Sequence, residues 1–378
     1  MTISWVEGGA TLSQRWQSEA KVAAPQRVII ADDSINADTA YRLACEGTAM
    51  LWRGDFHNAR QLLQAMARRC DQKKSSKKSK QESAPPDLKQ AFNLHRVAQA
   101  QRARVLGMLL IEVGENYQIS LKRAPDFAQA CREAYGEFTS PFVVSLRELQ
   151  GLVGAHEWRK KGVRIEALAA NIHPHYGVFS PIRGEYLDLL SQAPLPSTAL
   201  AFDIGTGTGV IAALLAKRGV KKIIATDQDA RALNCAQENI TRLGLQTQIS
   251  LIKTDMFPEG KAPLIVCNPP WLPAKPSSPI EYAVYDPESR MLMAFLNGLQ
   301  AHLSDDGEGW LIMSDFAEHL GLRAKHELRN AIQQAGLQVV GKLDIQAKHG
   351  KVMDTEDRLH QARKAEITSL WRLKIQNA

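Results

Sequence analysis

Between an apolar run at Leu200–Ile204 and a helix-spaced apolar run beginning at Val210, the chain reads Asp203-Ile204-Gly205-Thr206-Gly207-Thr208-Gly209. Three glycines at alternate positions tolerate positive φ in a tight turn. They also remove the side chains that would keep a ligand off the backbone. A strand that turns this sharply into a helix is the opening of a βαβ unit, with a ligand lying on the turn. A tight strand–helix turn with no ligand is the simpler alternative, and three alternating glycines count against it.

The residues downstream repeat the pattern. Apolar strands are expected at 222–226, 249–252, 264–267 and 310–313, around Val339 and Val340, and at 368–373. Helix-spaced sets fall between them: Leu233, Ala236, Ile240 and Leu243, then Leu328, Ala331, Ile332 and Ala335. Strands alternating with helices call for an α/β fold with a doubly wound, mostly parallel sheet. Ligands then sit at the carboxyl ends of the strands, near the point where strand order reverses.

Two ligand classes compete for the loop. A dinucleotide site wants Gly-x-Gly-x-x-Gly/Ala, and the sixth position counted from Gly205 is Val210. The acid followed by alternate glycines instead resembles the first motif of class I S-adenosylmethionine-dependent methyltransferases. The resemblance implies a seven-stranded Rossmann-like methyltransferase sheet and S-adenosylmethionine as cofactor. It implies that Gly205, Thr206, Gly207, Thr208 and Gly209 wrap the methionine portion, with Asp203 near its amino group. Asp227, ending the second strand, falls where the family places an acid on the ribose hydroxyls, and a carboxylate can accept both. Asp255 and Met256 follow the third strand, where the family flanks the adenine. For Asp255 a helix cap or loop acid is the alternative.

After the fourth strand comes Asn268-Pro269-Pro270-Trp271. This is similar to the (Asp/Asn)-Pro-Pro-aromatic motif of methyltransferases that modify planar nitrogens: glutamine amides, or amino groups of adenine and guanine. Such a nitrogen is a poor nucleophile because its lone pair is delocalised. Two acceptors, the Asn268 side-chain oxygen and the Pro269 carbonyl, would each take one N–H and favour localising the pair. Pro269 and Pro270 hold the residues before them extended. Trp271 offers a flat face, and base–aromatic stacking is worth about 1–3 kcal/mol. Orientation and fixed electrostatics would do most of the catalysis, without a strong base. Asn268 also borders the cofactor in this reading. Pro270, Pro273, Pro276 and Pro279 recur every third residue, the polyproline II period, which suggests a strap over the substrate mouth or a plain surface loop.

Upstream, Phe179-Ser180-Pro181-Ile182-Arg183-Gly184-Glu185 is similar to the Pro-Arg-x-x-Glu segment of the release-factor glutamine methyltransferase (HemK) group, with Ile182 inserted between Pro181 and Arg183. It implies that Phe179 and Arg183 line the substrate entrance. His173-Pro174-His175 reads as a loop, since two histidines make an incomplete metal set. No metal is expected.

The first half of the chain has another texture. Residues 1–170 carry 25 Lys+Arg against 18 Asp+Glu, whereas residues 171–378 carry 22 of each. The whole excess of +7 therefore lies N-terminally. It suits a polyanion-facing module joined to a neutral chemical engine, or a solvated lysine-rich linker. Residues 1–70 are expected to be helical. Phe56, Ala59, Leu62, Leu63 and Met66 share one helix face, and Gly54-Asp55 separates them from an earlier helix. Residues 71–87 read as a basic disordered linker. Residues 88–170 form a mixed α/β segment expected to recognise substrate, with a strand near Tyr117, helices after Pro125 and around 145–153, and a basic cluster of Arg159, Lys160, Lys161 and Arg164 beside Trp158. Residues 171–378 form the methyltransferase domain. Five cysteines without a Cys-x-x-Cys pair suit reduced thiols, and no apolar run approaches the roughly 18 residues of a membrane span, so a cytoplasmic protein is expected.

Together these features point to transfer of a methyl group to a planar amide or amino nitrogen of a macromolecule. The substrate is an RNA base, ribosomal RNA being the natural guess, or a glutamine of a translation-related protein. The alternatives are a non-catalytic S-adenosylmethionine-binding protein associated with RNA or ribosomes, and a nicotinamide-dependent oxidoreductase.

Overall fold

The structure is a computed structural model. It describes residues 1–71, 87–276, 279–347, 357 and 359–376. The chain divides into two compact units: Met1–Pro86 with Asn93–Glu157, and Asp87–Phe92 with Trp158–Ala378. Nearly all of the expected linker at 71–87 lies outside the described residues, as do residues 277 and 278 of the expected proline strap.

The first unit is built on a six-stranded sheet, which corrects the expectation of a helical segment over residues 1–70. Its strands are β1 (Thr2–Glu7), β2 (Ala10–Trp16), β3 (Arg27–Ala31), β4 (Thr48–Trp52), β5 (Leu109–Val113) and β6 (Phe142–Ser145). They lie in the order β1-β2-β6-β5-β4-β3, with β3, β4 and β5 parallel. The two expected helices do form, at Ala37–Cys45 and Phe56–Asp71, and bury the expected face. The strands escaped the helix-period reading for two reasons. Every residue of β4 is buried, so it shows no alternation. β1 and β2 close through the pair Gly8-Gly9, both at positive φ, a two-residue hairpin turn. Near Tyr117 the expected strand is a short 3-10 turn, Glu115–Tyr117, and the strand lies earlier, at β5.

The second unit opens with a hairpin, β7 (Val163–Ile165) and β8 (Ala170–Ile172). A seven-stranded sheet follows: β9 (Leu200–Ile204), β10 (Lys222–Asp227), β11 (Ile249–Lys253), β12 (Ala262–Cys267), β13 (Leu303–Ser314), β14 (Leu337–Gln346) and β15 (Ile367–Ile375). The order is β11-β10-β9-β12-β13-β15-β14. The first five positions are parallel, and β15 runs antiparallel to both neighbours. Side chains of the central strands alternate between two apolar clusters. Leu264, Val266, Trp310 and Ile312 enter one, and Ile265, Cys267, Leu311 and Met313 the other. Burial on both faces explains why these strands read as continuous apolar runs. Strand order reverses between β9 and β12, so the carboxyl ends of these two strands define the crevice. Among the described residues, no helix is long and apolar enough to cross a membrane.

Candidate active site

The pairing of β9 with β12 sets the site. Cys267 lies opposite Ile204, so the glycine loop and the Asn-Pro-Pro segment leave the sheet at the same level on adjacent strands.

The loop is fastened from below. Gly205 and Thr206 donate their backbone N–H groups to the Thr226 carbonyl at 2.9 and 2.8 Å. Gly207 donates its N–H to Asp227 Oδ2 at 3.0 Å, and Asp229 donates its own to Asp227 Oδ1 at 2.9 Å. Burial raises the Asp227 pKa, while these backbone hydrogen bonds oppose the shift. Gly209 has φ +80°, and a β-carbon there would meet Ala236 Cβ at 3.2 Å, so this glycine admits the helix Ala230–Arg242. At Gly207, φ is +54° and a β-carbon would meet nothing within 4 Å, which leaves the loop backbone open to a ligand.

Asp203 is fully buried. Its Oδ2 accepts the Thr206 hydroxyl at 2.6 Å and the Ala212 N–H at 3.1 Å. Its Oδ1 is buried without a hydrogen-bond partner among the described residues. Desolvation pushes its pKa up to about 7, against the two hydrogen bonds, and the nearby Asp227 charge adds to the rise. A buried acceptor of this kind suits a cationic group.

The third strand is tied to the same loop. Thr226 Oγ1 donates to the Met256 carbonyl at 2.6 Å, and Thr254 donates its N–H to the Asp227 carbonyl. Met256 takes φ +84°, a left-handed turn rare for a residue with a side chain. Asp255 is exposed and pairs with Arg290 at 3.2 Å.

Asn268 is half-buried, Pro269 is buried, and Pro270 and Trp271 are half-buried. The Trp271 indole N–H donates to Asn268 Oδ1 at 2.9 Å. Arg183 lies over the Trp271 ring, 5.3 Å from its centroid. The Arg183 guanidinium pairs with the fully buried Glu366 at 2.9 Å. Phe179 is half-buried.

Three supporting residues escaped the sequence reading. Asn239, buried on the helix Ala230–Arg242, donates to the Thr208 carbonyl at 3.0 Å and accepts the His173 N–H at 2.8 Å. Asp286 caps the helix Arg290–His302 by accepting the N–H groups of Met291 and Leu292. Its only sequence signal is a Pro one residue later. Glu366 has no local signal. His175 pairs with Glu238 at 2.7 Å, and His173 Nδ1 lies 2.6 Å from the Arg159 carbonyl, so both histidines serve the loop. Among the described residues there is no cluster of three or more His, Cys, Asp or Glu able to hold a metal.

Residues 170–339 match the family model of the methyltransferase small domain. A release factor glutamine methyltransferase from Cereibacter sphaeroides is 31% identical over 196 residues, 48% of this chain and 65% of that protein. A tRNA1(Val) (adenine(37)-N6)-methyltransferase from Bacteroides fragilis is 38% identical over 84 residues, 21% of this chain and 35% of that protein. A ribosomal protein L11 methylase structure from Lactobacillus delbrueckii aligns with a TM-score of 0.36 at 20% identity, over 55% of this chain and 86% of that one. The chain spans 22–65% of the length of the first curated relatives it matches. The segment 170–339 is thus similar to the methyltransferase small domain, and the second unit is consistent with class I of the S-adenosylmethionine-dependent methyltransferases. The open backbone at Gly207 and the buried acceptor Asp203 Oδ1 fit the cofactor of that class.

Proposed function

We propose that this chain is an S-adenosylmethionine-dependent N-methyltransferase that acts on a planar amide or amino nitrogen of a macromolecule, an RNA base or a protein glutamine. The observation that carries the reading is the register of Cys267 with Ile204, which sets Asn268-Pro269 beside the glycine loop.

When bound, S-adenosylmethionine supplies a sulfonium-activated methyl group. The residues of this chain bind and orient. Gly205–Gly209 hold the methionine portion, with Asp203 Oδ1 accepting from its ammonium. Asp227, already fixed to the loop by the Gly207 N–H, has lone pairs left for the ribose hydroxyls. Asp255 and Met256 flank the adenine. Asn268 Oδ1 and the Pro269 carbonyl each accept one N–H of the acceptor nitrogen. This localises the lone pair and holds it in line with the methyl group. With the cofactor bound, the oriented nitrogen would be methylated in exchange for the thioether, and its proton would pass to water.

Two features support a macromolecular substrate. The relatives named for glutamine and adenine methylation act on a protein and on tRNA. The charge excess in residues 1–170 suits a polyanion. The test is transfer of tritiated methyl from S-adenosylmethionine to an extract of cells lacking this protein, followed by separate nuclease and protease digestion. Label released by one treatment alone assigns the substrate class. No transfer at all would favour the non-catalytic alternative. An RNA substrate also predicts affinity that falls steeply with salt.

A further inference from the structure

Trp271 packs against both of the apolar clusters that the central strands of the second unit enter. Its ring has an assigned neighbour, the Arg183 guanidinium, and its N–H has an assigned acceptor, Asn268 Oδ1. We propose that Trp271 is a positioning residue. Its indole N–H dictates which end of the Asn268 amide meets the acceptor nitrogen, and the Arg183–Glu366 pair holds the indole in place.

The chemistry of the two groups makes the choice of end unambiguous. A carboxamide presents an oxygen that accepts and an NH2 that donates, in nearly the same shape, and a half-turn about its last bond exchanges them. An indole N–H can only donate. Facing Trp271 Nε1, Asn268 must present its oxygen. That oxygen keeps a second lone pair, which an N–H of the acceptor nitrogen can use. With the amide turned round, two N–H donors would oppose each other at Trp271, and the oxygen would be turned away from the position that needs an acceptor.

The indole is held from the far side of the sheet's carboxyl edge. β15 runs against its neighbours, so its first residues lie at the edge where β12 and β13 end; Thr368 pairs with Ser314. Glu366, just before β15, is wholly buried and accepts the Ser314 hydroxyl at 2.7 Å. It pairs with Arg183 at 2.9 Å, and the cation lies on the Trp271 face. Cation–π attraction strengthens when the pair is desolvated. The order of dependence is therefore Glu366, Arg183, Trp271, Asn268.

An Asp at 268 would carry two equivalent oxygens and would not need to be oriented. This gives a readout that general damage to the fold does not imitate. Trp271→Phe keeps a ring and removes the N–H. In the Asn268 chain it should lower kcat at least tenfold, with KM for S-adenosylmethionine and binding of S-adenosylhomocysteine unchanged. In the Asn268→Asp chain, whatever its own rate, the same substitution should change kcat less than threefold. An equal loss in both backgrounds overturns the proposal. The rate comparison rests on the methyl-transfer reading, so a second measurement stands apart from it. In the full chain labelled with 15N-tryptophan, the indole signal missing from Trp271→Phe identifies Trp271. Its N–H should exchange with solvent at least tenfold faster in Arg183→Ala, Glu366→Gln and Asn268→Ala than in wild type. If the wild-type N–H exchanges as fast as that of the exposed Trp158, the proposal fails. If wild type transfers no methyl to any acceptor, the functional reading fails and the exchange measurement alone decides the role of Trp271.

Discussion

The backbone N–H of Gly207 donates to Asp227 Oδ2 at 3.0 Å, so the acid that ends β10 is a structural part of the glycine loop before any ligand arrives. The same carboxylate braces the turn and, in the proposed function, would offer acceptors to a ribose. Asp227→Ala should weaken S-adenosylmethionine binding by at least tenfold and lower stability by about 1–3 kcal/mol, because the loop amide loses its acceptor. Asp227→Asn keeps one acceptor oxygen and should lose less of both. Calorimetric titration and thermal melts measure the two effects.

Asp203 gives the protein a pH dependence. Burial raises its folded-state pKa from 3.8 to about 7. Between those values the folded state binds more protons than the unfolded one, so this group's contribution to stability is full below about pH 4 and is lost as pH rises through 7. Asp203→Asn should flatten that part of the stability profile of the ligand-free protein. In the proposed function the ionised carboxylate is the form that would accept from the cofactor ammonium. Binding of S-adenosylmethionine should therefore tighten about tenfold between pH 6 and pH 8 through this group. A profile equally flat in wild type and Asp203→Asn would contradict the assignment.

Two glycines of the loop separate ligand approach from packing. A methyl at Gly207 meets no protein atom, so Gly207→Ala should cost about 1 kcal/mol for its positive φ yet weaken cofactor binding strongly. A methyl at Gly209 presses on Ala236, so Gly209→Ala should destabilise by about 2–3 kcal/mol, the range of an overpacked core contact with backbone strain added. Equal effects of the two on binding and on melting temperature would deny them different tasks.

Asn239 joins the loop to the segment before the sheet, bridging Thr208 and His173 from a wholly buried position. Asn239→Ala leaves a buried carbonyl and a half-buried amide without it, and should cost about 2–3 kcal/mol. Chemical denaturation measures the loss.

What the sequence disclosed depended on range. The glycine loop, the Asn-Pro-Pro-Trp segment and the strand–helix alternation after residue 199 are local patterns, and the sheet of the second unit follows them. The strands of residues 1–70 carry little local signal, because β4 is buried on both sides and so has no period, and the short Gly8-Gly9 hairpin stands beside the stronger helix pattern at 56–66. The contacts of Trp271 leave no local trace, because its partner Arg183 is 88 positions away and Glu366 lies 95 positions beyond. Only the antiparallel course of β15 brings that carboxylate to the site.

The most direct test is methyl transfer from tritiated S-adenosylmethionine by wild type and Asn268→Ala, with cofactor affinity measured on the same samples. The expected result is label in a nuclease- or protease-sensitive product with wild type, at least a hundredfold less with Asn268→Ala, and affinities within threefold of each other. Equal transfer by both proteins would contradict the account, and so would a wild type that does not bind S-adenosylmethionine.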